Sequence, residues 1–138
     1  MSILRLLLFA VLFLPALAGS AQTADPKLTG KVIGTTMCFD YSKNQTSMTV
    51  NTAANCFDGD LSTFFATNAR SNTWAGLDLG TPHVITRVGW SPRNDGVGPK
   101  RVCLAVFEGA NKADFSDGVP IYVVPEQGTV GKISYADL

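Results

Sequence analysis

The chain reads as an all-β protein, an antiparallel β-sandwich of the jelly-roll kind, and three features carry that expectation. Short apolar runs, alternating or β-branched, recur at 74–79, 84–90, 102–107, 119–124 and 133–135. Clusters of Gly, Pro, Asn and Asp separate them, and beyond residue 21 there is no helical apolar stripe of useful length. Short strands at regular spacing with turn signals between them define a sandwich or barrel rather than a helical or α/β fold.

The chain opens with a segment that belongs to export rather than to the fold. Arg5 supplies a positive start, residues 6–14 an unbroken apolar run, and Pro15 precedes the small residues Ala16, Ala18, Gly19 and Ala21. That is the pattern of a secretory signal peptide over 1–21, cleaved after Ala18 or, preferably, Ala21. The apolar run falls short of the roughly 20 residues a spanning helix needs. The expected location is therefore extracellular, with a single domain over 22–138, since a chain of 138 residues has room for one core.

Charge narrows the class of partner. Lys plus Arg and Asp plus Glu each number 11, and removal of Arg5 leaves ten basic residues against eleven acidic ones. Nothing in that balance supports nucleic acid, whose phosphates call for clustered Lys and Arg, or an anionic membrane. Export also colours the three cysteines, Cys38, Cys56 and Cys103. Their wide spacing excludes a CxxC motif, so one disulfide and one odd thiol are expected. Asn44-Gln45-Thr46 is a glycosylation acceptor sequence in a eukaryotic host.

In chain order, Val32 and Ile33 between Gly30 and Gly34 suggest a short first strand, and 41–52 an exposed loop. In 74–79, Ala75, Leu77 and Leu79 alternate with Gly76 and Asp78 as a half-buried strand. The 84–90 run follows, with Val84, Val88 and Trp90 on one face. Two glycines and two prolines make 92–99 a loop, and the apolar 102–107 segment reads as a central strand. The 119–124 run is another strand, with Pro120 at its start or on an edge, and 133–135 begins the last.

Two constellations bear on function. Asp58, Asp60, Ser62 and Thr63 surround Gly59. Such a density of hard oxygen donors suits a calcium ion; equally, Asp58 would cap a helical turn over 61–65. Catalysis finds little support, because there is no GxSxG, and His83 is the sole histidine and reads as a solvated turn residue. A two-carboxylate glycosidase built on Asp58 and Asp78 is disfavoured, since a turn and a strand end already account for those acids.

The segments FDGDLSTFF, WAGLDLG, ITRVGWSPRND and FEGANKADFSDG, in that order, resemble the discoidin-like (coagulation factor type C) domains, above all their galactose-binding-like carbohydrate-binding branch. The likeness spans residues 34–128. It implies an eight-stranded jelly roll and a structural calcium loop falling on the Asn55 carbonyl, Asp58, Asp60 and Thr63. Phe65 stands where the family has Trp, in a packing role. The family's closing strands would lie past Leu138, one bearing a Glu that completes the calcium shell, so the resemblance implies a domain whose last strands, and a partner for Cys56, are missing here. It also places a ligand on loops at one end of the sandwich. The polar residues of those loops, Asn68, Arg70 and Asn72 with Arg93, Asn94 and Asp95, are the expected contacts for a glycan, galactose-containing by analogy. Arg93 is equally suited to an ion pair with Asp95 or Asp78, and Trp74 and Trp90 to core packing. The function expected is a non-catalytic, lectin-like module, with further domains in a longer parent. An adhesion module for protein or phospholipid through the same loops is the alternative.

Overall fold

The computed structural model describes residues 27–138, so the leader over 1–21 lies outside it. Eight strands form among the described residues: β1 (Lys31–Gly34), β2 (Cys38–Asp40), β3 (Gln45–Ser47), β4 (Ala75–Asp78), β5 (Arg87–Trp90), β6 (Val106–Gly109), β7 (Val119–Val123) and β8 (Ser134–Asp137). A 3-10 turn (Ala53–Cys56) and one short helix, α1 (Gly98–Val102), interrupt them. Pairing is antiparallel throughout, β1 with β4, β2 with β3, β5 with β8 and β6 with β7. The all-β, antiparallel expectation therefore holds.

Two of the pairs are hairpins, and two join distant segments. Lys31 faces Asp78 in one long-range ladder, and Arg87 faces Asp137 in the other. At the end of β1 the backbones crowd together: Gly34 has φ +125°, and a Cβ there would lie 2.4 Å from the Trp74 carbonyl oxygen. Glycine alone fits, and it lets the Thr35 amide reach that oxygen at 2.9 Å.

The ladders stack through aromatic rings. Trp90 of β5 meets Phe107 of β6 at 6.3 Å and Tyr122 of β7 at 5.5 Å between centroids, which packs the β5–β8 pair on the β6–β7 pair. Among the described residues, Cys38, Ala53, Ala66, Val88 and Val124 are the buried apolar side chains. Burial on the scale of Val124 stabilises by about 1.5–3 kcal/mol.

Several elements differ from the sequence reading for identifiable reasons. The loop expected over 41–52 contains β3, because Asp40 accepts the Ser42 amide and hydroxyl (2.9 and 2.6 Å) and Asn44 takes φ 51°, closing a hairpin. The loop expected over 92–99 ends in α1, with Pro99 in its first turn, where a missing N–H costs nothing. The strand expected over 102–107 consequently starts late. Val102 ends the helix and Leu104 has φ +65°, so regular pairing begins at Val106. The 84–90 strand shortens to Arg87–Trp90, and Val84 lies 86% exposed.

The cysteine expectation also needs correction. All three thiols are free, each set in different surroundings: Cys38 buried on β2, Cys56 exposed in the 3-10 turn, Cys103 half-buried after α1. Cys38 and Cys103 sulfurs sit against the carbonyls of Thr35 and Pro125 instead of each other (3.9 and 3.8 Å).

Candidate functional site

The acidic turn folds on itself through its own carboxylates. Asp58 Oδ1 accepts the Asp60 amide at 2.8 Å, and Asp60 Oδ1 accepts the Ser62 amide at 2.8 Å, so two Asx turns follow one another. The helical turn expected over 61–65 does not form, because these bonds bend the chain there; the 3-10 turn lies ahead of Asp58. Thr63 Oγ1 donates to Asp58 Oδ2 at 2.6 Å and lies 3.0 Å from the Asp60 carbonyl. Two hard oxygens thus stand within hydrogen-bond reach of the Thr63 hydroxyl, itself a third. The Asp60 carboxylate is turned to Ser62, so the backbone oxygen of Asp60 is the one that faces Thr63. Asn55 buttresses the turn by donating its side-chain amide to the Phe64 carbonyl at 3.0 Å. The donor set fits calcium, with one carboxylate and neutral oxygens. Among the described residues no group of three His, Cys, Asp or Glu side chains gathers to hold a metal, so the remaining donors of such a shell would be carbonyls, hydroxyls or water.

This turn is also a wall of an open concavity of about 510 Å³. Ser62, Thr63 and Phe64 line it together with Arg93 and Asn94, Tyr41 contributes from the β2–β3 turn, and Leu61, Val130 and Gly131 add apolar and backbone surface. Backbone bonds draw the walls together: the Phe39 amide reaches the Ala66 carbonyl at 2.9 Å, and the Ala66 amide the Asn51 carbonyl at 3.0 Å. They hold the 64–66 stretch beside β2 and bring the Tyr41 and Phe64 rings to 6.5 Å. The Arg93 guanidinium sits over both, 4.5 Å from the Phe64 centroid and 5.0 Å from that of Tyr41. Stacking suits guanidinium better than ammonium, since it is planar and weakly hydrated.

Asp95 fixes the other end of Arg93. Its Oδ2 accepts from both Nε and Nη2, and its Oδ1 accepts the amides of Val97 and Gly98 at the start of α1. Burial works to raise the Asp95 carboxyl, but the hydrogen bonds from Arg93 and from those amides outweigh it and hold it below the usual carboxylate range. A depressed folded value gives stability that is present above the unfolded value, about 3.9, and lost as pH falls through the folded one. Ligand retention is therefore expected to stay level from about pH 8 to about pH 5 and to fall only below about pH 4, as a pH series of affinity gels would show.

Of the residues expected from sequence, Arg93, Asn94 and Asp95 line the concavity together, and of the two ion pairs considered for Arg93 the one with Asp95 forms. Asp78 instead accepts the Gly80 amide at 2.9 Å. Asn68, Arg70 and Asn72 are exposed on the 67–74 loop and do not line it. Beside them Trp74, 38% exposed, packs on Phe115 at 5.1 Å. Tyr41 and Phe64 complete the concavity and were not anticipated. Their signal was present in an aromatic three residues before the β3 hairpin's Asn44 and in the Phe64-Phe65 pair behind the acidic turn.

No family model and no curated protein matches the chain. Among solved structures, a chain described as CBM62 from Clostridium thermocellum Xyl5A superposes with a TM-score of 0.70 and 38% identity, over 82% of this chain and 76% of that one. An antiparallel β-sandwich with a concavity lined by aromatic, apolar and polar side chains, matched at that level, belongs to the class of carbohydrate-binding modules. Within it, the chain is a member of the CBM62 family. The match supports the carbohydrate-binding branch of the resemblance read from sequence.

Proposed function

We propose that this protein is a secreted, non-catalytic module that binds a glycan, galactose-containing, in the concavity between Tyr41, Phe64, Arg93 and Asn94. The observation that carries this reading is the Arg93 guanidinium clamped over two rings at 4.5 and 5.0 Å on the wall of that concavity. Sugar rings offer hydroxyl acceptors to a fixed planar donor and C–H faces to aromatic side chains, and the wall presents both. Asn94, exposed beside Arg93, adds an amide that both donates and accepts. In this reading the exposed Asn68, Arg70 and Asn72 would meet sugars further along a chain.

In the same reading, calcium held by the Asn55 and Asp60 carbonyls, the Asp58 carboxylate and Thr63 stiffens the wall that carries Phe64. Bound there, the ion would supply positive charge that fixes the loop. The chain's residues do the recognition.

One experiment tests both statements. Wild-type protein and Asp58→Asn are applied to galactan and galactomannan gels and to phosphatidylserine vesicles, with calcium or chelator. Retention on galactose-containing gels alone is expected, along with a calcium-dependent rise in Tm of about 5–10 °C that Asp58→Asn lacks. Binding to vesicles but not to gels would overturn the glycan reading, and a Tm indifferent to calcium would overturn the metal site.

A further inference from the structure

We infer that Asp95 sets the charge class of sugar this site accepts: by pairing with Arg93 it cancels the guanidinium charge while leaving donors on it, so the concavity takes neutral sugars and turns uronic acids away. The inference rests on the glycan reading of the concavity and goes beyond it in naming what is excluded and by which residue.

The hydrogen bonding of Asp95 is saturated. A carboxylate offers about four acceptor sites. Here Oδ2 takes Nε and Nη2 of Arg93, while Oδ1 takes the amides of Val97 and Gly98. No site is left for a sugar hydroxyl. Asp95, expected from sequence as a ligand contact, is thus a positioning residue that acts through Arg93. Arg93, by contrast, engages Asp95 through Nε and Nη2, so Nη1 lies outside that pairing.

Charge around the pair points the same way. Among the described residues, Arg93 is the one basic side chain lining the concavity. The turn that supplies Ser62 and Thr63 carries Asp58 and Asp60, both acidic and exposed. An unpaired arginine on such a wall would bind a carboxylate through two parallel N–H bonds, the geometry for which guanidinium is best suited. With Asp95 already in that position, an incoming uronate meets an occupied fork. The side chains of the pair are only 22% and 27% exposed, so water screens their charges incompletely.

The substitution that isolates the effect is Asp95→Asn. Asparagine keeps an Oδ1 that accepts the Val97 and Gly98 amides but puts an NH2 donor where Oδ2 takes Arg93 Nε and Nη2, so it removes the charge and frees the guanidinium fork together. Wild-type protein, Asp95→Asn and Asp95→Glu would be titrated with matched neutral and acidic ligands: D-galactose and D-galacturonate, D-glucose and D-glucuronate, galactan and polygalacturonan. Wild type is expected to prefer the neutral member at least tenfold. Asp95→Asn is expected to shrink that ratio about tenfold through tighter uronate binding, and Asp95→Glu to restore it. A merely structural role would weaken both members equally, and that result overturns the inference, as does a wild type that binds uronates as well as neutral sugars. Should Asp95→Asn fail to fold, Asp95→Ser gives a second arm: its hydroxyl can accept an amide at the start of α1 without carrying charge, the ratio should again shrink, and an unmoved ratio sinks the idea. If wild type binds no member of the panel, the glycan reading itself is overturned, and this inference goes with it.

Discussion

Replacing Arg93 with alanine is expected to lower glycan affinity at least a hundredfold while moving Tm by no more than a few degrees. The residue lines the concavity, stacked on Phe64 and Tyr41 and held by Asp95, so its loss removes the fixed donor and the surface that joins the two rings. Central aromatic and arginine anchors carry a disproportionate share of binding energy, with losses of roughly 2–4 kcal/mol on truncation. Stability suffers less, because Asp95 keeps its bonds to the Val97 and Gly98 amides and is 27% exposed, so water can solvate the freed oxygen. Arg93→Lys should recover little, since an ammonium neither stacks as a plane nor forks onto a carboxylate. Calorimetric titration beside a thermal melt separates the two effects. An Arg93→Ala protein that binds its glycan at wild-type strength would place the site elsewhere on the domain.

Gly98→Ala is expected to do more damage to the fold than any change in the concavity itself. A Cβ at position 98 would lie 2.0 Å from the Arg93 carbonyl oxygen and 2.9 Å from its carbon, both backbone atoms that cannot swing away. The 93–98 turn closes on that contact: the Gly98 amide donates to the Asp95 carbonyl at 3.1 Å and to the Asp95 carboxylate as well. Opening the turn to admit a methyl group breaks those bonds, releases Asp95 from α1 and lets Arg93 leave the two rings. A cost of roughly 2–4 kcal/mol follows, with Tm lower by about 10 °C and glycan retention lost. Gly96 makes the control, because a Cβ there meets nothing within 4 Å. Equal melts for Gly98→Ala and Gly96→Ala would refute the turn's role.

The sheet was legible in the sequence where local chemistry and long-range packing agree. In β4, apolar Leu77 alternates with Asp78, and in β5 Val88 alternates with Arg87; both strands appear within a few residues of where alternation puts them. It was illegible where a turn decides the outcome. Val102–Leu104 looks like any apolar strand, yet Pro99 starts a helix just ahead of it and Leu104 takes a left-handed φ, a choice made by the 93–98 turn and not by the run itself. The site divides the same way. Polar loop residues are conspicuous, so Arg93, Asn94 and Asp95, which line the concavity, were named from the sequence. Tyr41 was not, because it reaches the concavity through β2 and the 64–66 stretch, segments that composition alone does not bring together. Nor does composition show that the acceptor sites of Asp95 are already taken.

The two indoles differ in a way that makes the domain its own spectroscopic gauge. Trp90 holds its Nε1–H buried without a partner, against Phe107 and Tyr122, and the chain leads from it through Ser91 and Pro92 straight to Arg93. Trp74 is more open to water, on the loop that carries Asn68, Arg70 and Asn72. The more enclosed indole thus lies three residues from Arg93 and the more open one on a different loop, so a change in intrinsic emission as a sugar is added would report on those two places with no label attached.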